Sequence, residues 1–487
     1  MSATRTNVVA RRGGSVSQWL RSVFSDAANC FLAIGLVGGV ALVVIIPPLG
    51  GIDEPAHWAR AYQVSTGRIV PEHPVGSDEG GGVCLPDDVA DDFATLVNDY
   101  EESVFERGDV ETLESESDSG VGALDDPAQV GTCAADEQFY DFSAFAWNSP
   151  VAYVPQAFAI WEARELGIGV EGQVYAARLA VLAVTLALVY IAIRRTPFAR
   201  WGLCAVGLVP VALFQASSSR APDAITTAFA MLVLVAALRA AKAGTDRVAG
   251  STYVERIGLA ATLGLLKPTY SIVSLCFLLP FWTRPRRESL AKLVVPIIAA
   301  VGVSAIWQLY AGDFFICDTF AFGFNPQPGE QVENILEAPN RYLVAVLDSF
   351  QEYGDKWLEE LVTVGETVAN WSWWAIGLAL AAVGVAASKR DPRESFELVV
   401  WQRLLLLAIV FVGMVALITG EHVYCANVSL VIDYPPHARH YVPLLGLLVA
   451  ALTPTRQFAQ KTRRIPAAAL LGAVTVAFVI GTALEMH

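Results

Sequence analysis

The sequence predicts an all-α polytopic membrane protein: a bundle of about eleven transmembrane helices with extracytoplasmic loops and interfacial helices. Three observations predict it. The 487 residues are 54% hydrophobic and only 17% charged, where a soluble chain is nearer a quarter charged. Apolar runs of bilayer length, roughly 20 residues, recur from Cys30 almost to the C-terminus. Basic residues cluster between alternate runs, as they do on the cytoplasmic side of a membrane.

The elements follow in order. Residues 1–28 carry Arg5, Arg11, Arg12 and Arg21 and read as a cytoplasmic tail; residues 29–487 form the transmembrane domain. The first apolar run is too long, and too far from the N-terminus, for a cleaved signal peptide. The spans read 29–48, 173–193, 201–219, 222–241, 249–266, 268–283, 290–310, 370–388, 399–419, 441–455 and 465–484. Further basic clusters fall around Arg194, Arg239, Arg284, Lys389 and Arg456. With these spans every cluster lies inside, and 23 of the 33 Lys and Arg are accounted for. The N-terminus is then inside and the C-terminus outside.

That register forces two assignments. Val151–Trp161 cannot cross, so it reads as an interfacial helix on the outer face, anchored by Tyr153 and Trp161. The stretch 249–283 reads as a hairpin of two short helices with Lys267-Pro268 at its outer turn. Three outer loops remain: 49–172, 311–369 and 420–440.

The formal charge of −15 is unevenly placed. Between Gly51 and Pro150, 23 Asp and Glu face 3 Lys and Arg, so the rest of the chain carries +5. The acidic excess belongs to one loop and points to no nucleic-acid partner. The run Asp87–Asp126 reads as a solvated, partly disordered face. Cys30, Cys204 and Cys276 fall in spans and read as packing residues. Cys84, Cys133, Cys317 and Cys425 fall in the outer loops, an even number in an oxidising compartment. Cys84–Cys133 and Cys317–Cys425 is the simplest pairing, though spacing alone leaves connectivity open.

The chemistry-bearing residues lie at the outer rim. Asp53-Glu54-Pro55-Ala56-His57 follows the first span. Asp or Glu before Pro starts a helix, with acids near its positive end. On that helix Asp53, His57 and Arg60 share a face as i, i+4 and i+7. Capping explains the acids; a carboxylate base on a rigid element explains the shared face as well. Arg178, Arg220, Lys267 and Arg439 fall at outer helix ends and together suit a phosphate headgroup. Snorkelling, or pairing with the acidic loop, is the plainer reading of each. Asp223 either caps the helix after Arg220 or joins the site. His437 and His440 flank Arg439 and suit an anion; no His, Cys or Asp spacing matches a zinc site. There is no Walker-type loop and no Gly-x-Gly-x-x-Gly after a strand. A soluble domain for cytosolic nucleotides is disfavoured.

At these residues the chain resembles a bacterial membrane-protein family called domain of unknown function 2142. Asp53-Glu54-Pro55-Ala56-His57-Trp58-Ala59-Arg60-Ala61-Tyr62-Gln63 resembles its "DEPAH…RAYQ" signature. Arg220-Ala221-Pro222-Asp223 matches its Ser-x-Pro-Asp turn. His437-Ala438-Arg439-His440-Tyr441-Val442-Pro443 matches its late "QGRY-x-x-P" box, with His-Ala in place of Gln-Gly and His440 inserted before Tyr441. The family is similar in layout to GT-C glycosyltransferases, which carry a carboxylate pair just after the first span. Ser149-Pro150-Val151-Ala152-Tyr153, followed by Arg178-Leu179, resembles their interfacial helix and second span.

The resemblance implies a GT-C-like bundle in a bacterial plasma membrane that uses a polyprenyl-phosphate sugar as donor. Its partners would be the bilayer, the polyprenyl-phosphate lipid and a cell-envelope glycan acceptor; a divalent cation is left open as cofactor. Asp53, Glu54 and His57 are the candidate catalytic residues. Arg60, Gln63, Arg178, Arg220, Asp223, Lys267, Arg439 and Tyr441 are the candidate substrate contacts. The alternative is a transporter or flippase of a lipid-linked glycan without catalysis. It calls for charges at the bilayer midplane and broken helices, and the sequence places its charges at the rim.

Overall fold

The computed structural model describes residues 23–51, 53–73, 80–106, 133–243, 250–282, 290–317, 324–361, 372–389, 391, 393–394, 396–432, 435–454 and 467–486. The N-terminal arginines, the later half of the acidic run and the clusters around Arg284 and Arg456 lie outside them. What is described is almost wholly helical, with one two-stranded antiparallel sheet.

Helix α1 (Ala27–Ile45) starts on Asp26, whose carboxylate accepts from the Ala28 and Asn29 amides. Its small residues let a neighbour approach: a Cβ on Gly39 would stand 2.5 Å from Leu182. That neighbour is α5 (Val170–Arg195), and small residues at such crossings are how helices pack in lipid. Between them lies the region read as the first outer loop, and it is built rather than slack. It holds α2 (Glu54–Ser65), β1 (Gly82–Pro86), α3 (Asp87–Glu106), β2 (Glu137–Asp141) and α4 (Val154–Glu165). The start of the acidic run is therefore a helix rather than disordered, with Asp87, Asp88, Asp91, Asp92 and Asp99 exposed on its solvated face. Ala90, Phe93 and Val97 recur at i, i+3 and i+7 and are buried, with Phe93 against Trp58 and Tyr140. Helix α4 has 12 residues, about 18 Å at helical rise, too short to cross. Val154, Phe158 and Trp161 are exposed along one face of it, the pattern of an interfacial helix.

The bundle continues with α6 (Arg200–Gly207), α7 (Pro210–Ser217), α8 (Ala221–Ala243), α9 (Gly250–Leu266), a 3-10 helix over Pro268–Trp282, and α10 (Leu290–Ala311). Then come α11 (Pro328–Glu337), α12 (Pro339–Glu352), α13 (Gly354–Glu360), α14 (Ser372–Ser388), α15 (Val400–Cys425), α16 (Val442–Leu452) and α17 (Ala467–Met486). Helix α8 is the axis, buried on nearly every side. It packs on α5, α9, α16 and the 3-10 helix.

The count of eleven spans is matched only in part. Among the described residues five helices are long and apolar enough to cross, or six with α6 and α7 taken as one span bent by 55°. Of the other predicted spans, α9 and α14 have 17 residues each and α17 has 20. Helix α16 has 11 residues. The run after Lys267 winds into 15 residues of 3-10 helix, whose steeper rise of about 2 Å per residue covers about 30 Å.

Disulfides join Cys84 to Cys133 and Cys317 to Cys425. Contacts also gather the helix ends remote from Asp53. Arg200 lies 3.7 Å from Asp26 and from Asp391, and Arg403 donates to the Ala451 and Thr453 carbonyls at 2.6 Å.

Candidate functional site

Asp53 and Glu54 are adjacent, and the chain turns sharply between them. Asp53 takes left-handed backbone, φ +58° and ψ 7°, a conformation that short polar Asp tolerates better than most residues. Helix α2 begins one residue later, so Pro55 is its second residue. The Asp53 side chain makes no capping hydrogen bond. The capping account of Asp53 is therefore corrected: its carboxylate is turned away from the helix it precedes.

Glu54 goes the other way, into the core. Its carboxylate accepts from the Gly51 amide at 2.9 Å and from Arg178 Nε and Nη2 at 2.7 and 2.6 Å. Arg178 also donates to the Val43, Ile46 and Pro47 carbonyls at 3.1, 2.6 and 2.6 Å. An arginine has five N–H groups, and all five are engaged. Both side chains are 0% exposed. Arg178 satisfies the open carbonyls at the end of α1, and Glu54 neutralises it. The expectations of Glu54 as base and Arg178 as substrate contact are corrected: no donor of Arg178 is left for a ligand.

Asp53 meets two cations, and a third is bonded to nearby Asp223; each of the three comes from a chain reversal. Arg220, between α7 and α8, donates to Asp53 Oδ2 at 2.6 Å. Arg439, in the 3-10 turn Ala438–Tyr441 before α16, donates to the same oxygen at 2.9 Å. Lys267, between α9 and the 3-10 helix, is bonded to Asp223, which lies 3.9 Å from Arg220. The alternation Arg439–Asp53–Arg220–Asp223–Lys267 thus carries three cations and two carboxylates. Asp53, Arg439 and Lys267 keep 19%, 15% and 21% of their side chains exposed, so the cluster opens to the surface. Ser219, with φ +55°, sets the turn before Arg220. Gln156 of α4 donates to its carbonyl.

Burial works to raise the pKa of Asp53, but the Arg439 and Arg220 guanidiniums outweigh it and hold the carboxyl well below the usual range. His57 is pushed down to about 3, by burial first and then by the charge of Arg220. It is neutral at pH 7 and is no cation beside Asp53. Its Nδ1 lies 2.8 Å from the Tyr153 hydroxyl, and its ring packs on Phe145. Burial raises the Tyr153 hydroxyl above its ordinary value, so that hydroxyl stays protonated.

The shared face of Asp53, His57 and Arg60 is corrected too. Arg60 is bonded to Gln63 and to the Ile69 carbonyl at 2.9 Å, and lies over the Phe142 ring. Gln63 donates to the Val70 and Gly82 carbonyls at 3.0 and 3.2 Å. Arg60 and Gln63 pin the chain beyond α2 rather than face the cations.

Three buried polar atoms on these turns make no hydrogen bond among the described residues: Arg220 Nε, which lies 3.9 Å from Asp223, Ser219 Oγ and the Tyr441 hydroxyl. Tyr441 packs its ring on Trp357 of α13, 5.0 Å between centroids. Glu360, which the sequence reading missed, accepts from the Ala438 amide at 2.6 Å and lies 3.5 Å from His437. It holds the turn that carries Arg439, and nothing in its local sequence marks it. Glu421 lies 3.4 Å from His440. Among the described residues, the side chains that come together at metal-binding range are Cys84, Cys133 and Glu137, and the two cysteines are already bonded to each other.

No curated protein and no solved structure matches the chain. One family model does, over residues 36–432, which takes in α2, Arg220 and Lys267 and stops short of Arg439. The match spans most of the chain: the protein belongs to the family described as "Predicted membrane protein (DUF2142)".

Proposed function

We propose that the protein is a GT-C-type membrane glycosyltransferase. It moves a sugar from a polyprenyl-phosphate donor to an acceptor hydroxyl on an extracytoplasmic cell-envelope glycan. One observation carries the reading. Two arginines from different helix ends converge on one oxygen of a part-exposed carboxylate that caps nothing. In the resting protein Asp53 occupies the place of an anion.

The chemistry follows. A donor phosphate competes with Asp53 for Arg220 and Arg439, which favour phosphate as planar forks of donors. Lys267, Ser219 Oγ, Arg220 Nε and the Tyr441 hydroxyl supply further donors nearby. As the guanidiniums turn to phosphate, Asp53 loses the charges that depress its pKa, and its basicity rises. It then takes the proton of the acceptor hydroxyl as that oxygen bonds the anomeric carbon. The bond from that carbon to phosphate breaks, and the cations stabilise the departing polyprenyl phosphate. A single displacement inverts the anomeric centre. Neutral His57, held by Tyr153, fixes α2 beneath Asp53.

A flippase is the second reading, favoured by the break between α6 and α7, two turns of helix before Arg220. Broken spans at a binding site are a mark of transporters. The test is transfer in proteoliposomes given labelled polyprenyl-phosphate sugar and acceptor. Transfer by the wild type, with a loss of about 100-fold or more for Asp53→Asn, supports the transferase. Near-wild-type transfer by Asp53→Asn overturns the base assignment. Label that crosses the bilayer still attached to lipid supports the flippase.

A further inference from the structure

The stretch 311–369 reads as an outer loop in sequence, yet one of its helices packs along the side of the bundle. Helix α12 runs down the side of α15. Near its start, the Tyr342 hydroxyl donates to Thr419 Oγ1 at 2.9 Å, and the Tyr342 ring stacks on His422. Two turns on, the Phe350 ring stacks on Phe411, 6.3 Å between centroids. Phe411 is near the centre of α15, 11 residues from Val400 and 14 from Cys425, about 16 and 21 Å along the axis. Whichever end of α15 faces out, Phe411 lies near the midplane of a bilayer that α15 crosses. A second marker agrees. The Leu361 carbonyl, just past α13, accepts from the Val211 amide at 3.3 Å. Val211 sits just past the break between α6 and α7, again at mid-span.

Helix α12 has three faces. Tyr342, Val346 and Ser349 are buried against the bundle. Leu343, Val344 and Leu347 are exposed and apolar, at 48%, 55% and 46%. Arg341, Asp348 and Glu352 are exposed and charged. At 100° per residue these sets fall on successive arcs. A helix wholly in water has no need of the second face, and one wholly in lipid does not tolerate the third. The apolar arc continues the exposed face of α15, where Phe411 and Val412 stand at 45% and 48%.

We infer that Pro328–Leu361 is a re-entrant element that dips to the bilayer midplane. The Leu343 and Leu347 stripe lies against lipid acyl chains. The face with Arg341, Asp348 and Glu352 meets water. The inference concerns placement and holds whichever reaction the site performs.

Single cysteines at Leu347 and Glu352 test it. Cys30, Cys204 and Cys276 are buried and the other four cysteines are bonded, so a maleimide fluorophore reports the introduced site. The full chain is placed in phosphatidylcholine vesicles with deep (12-doxyl) or shallow (5-doxyl) quencher lipid, or with aqueous iodide. The label on Leu347→Cys is expected to be quenched at least twofold more by 12-doxyl lipid than by 5-doxyl lipid or iodide. The label on Glu352→Cys is expected to show iodide quenching above either lipid. Leu343→Cys reads the same stripe should Leu347→Cys not fold. Iodide quenching of the stripe places the element in water and overturns the inference. Stronger 5-doxyl quenching makes it a surface helix, and shielding from every quencher means protein covers it, as a second copy would; either overturns it.

Discussion

Glu54 and Asp53 are neighbours in sequence and opposites in structure. Glu54 faces an arginine whose five donors are all engaged, in a pocket with no exposed atom. Asp53 faces two arginines on a single oxygen, at the surface, and the turns that carry them hold buried polar atoms with no hydrogen bond among the described residues. A closed set of donors holds the fold; an open set is free to take a ligand. The difference teaches that charge and position along the chain do not separate a clamp from a site. The inventory of hydrogen bonds does.

The largest effect should come from breaking the clamp. Glu54→Gln leaves the Arg178 charge buried without a counter-charge, which typically costs about 3–5 kcal/mol. It also loosens the junction of α1, α2 and α5. Thermal unfolding in detergent is expected to show a large drop in Tm for Glu54→Gln and for Arg178→Met, and little for Asp53→Asn. A Glu54→Gln protein as stable as wild type would erase the distinction between the two carboxylates.

A pH titration of stability sharpens it. His57 is held down to about 3 by burial and by Arg220, whereas an unfolded histidine titrates near 6.5. The unfolded chain therefore binds the extra proton first, and folding weakens as pH falls below about 6.5. Between pH 6.5 and 5 the wild type is expected to lose about 2 kcal/mol that His57→Gln keeps. Asp53 also has a lowered pKa, set by Arg439 and Arg220 against its own burial. Its contribution is present above the unfolded value near 4 and is lost only as pH falls below that. Above pH 5 His57 acts with little contribution from Asp53, and only below about 4 do both lose stability together, so the upper range isolates His57. Equal acid sensitivity of His57→Gln and wild type between pH 6.5 and 5 would place His57 in water.

How much of this was legible in the sequence differs from element to element. The interfacial helix was readable, because Tyr153 and Trp161 sit in an apolar stretch too short to cross. The meeting of Arg220, Lys267 and Arg439 was readable because Arg220 and Lys267 follow the end of an apolar run and Arg439 precedes one, all on the same side. The fate of Glu54 was not. Its partner Arg178 is 124 residues away, and nothing near either residue states that α5 crosses α1 at Pro47. Nor was the left-handed turn at Asp53, which takes that residue off the helical face it would share with Arg60. The span count is matched only in part among the described residues, because the run after Lys267 tightens into 3-10 helix and the tenth run holds an α-helix of only 11 residues. Hydropathy sees the composition of such runs and not their rise. The re-entrant placement of α12 was hidden for the opposite reason: its charged face makes it look like a soluble loop.

The smallest expected effect is the most discriminating. Asp53→Asn keeps the side-chain shape, and Asn tolerates the left-handed backbone that position requires. The substitution removes one negative charge from between Arg220 and Arg439. If Asp53 stands where the donor phosphate binds, the two guanidiniums are then easier for an anion to capture. Affinity for a short-chain polyprenyl phosphate, measured by calorimetry, should rise about tenfold, a gain of about 1.4 kcal/mol, and should weaken with added salt because the cluster is part-exposed. Turnover should vanish at the same time, since the base is gone. Tighter binding with lost transfer sets this apart from a structural ion pair. If Asp53 only ties α2 to α8 and α16, its loss lets Arg220 and Arg439 spread, and phosphate binding falls together with Tm. Unchanged affinity for Asp53→Asn would show that these arginines do not meet the phosphate, and Asp53 would then belong with Glu54 among the residues that hold the fold.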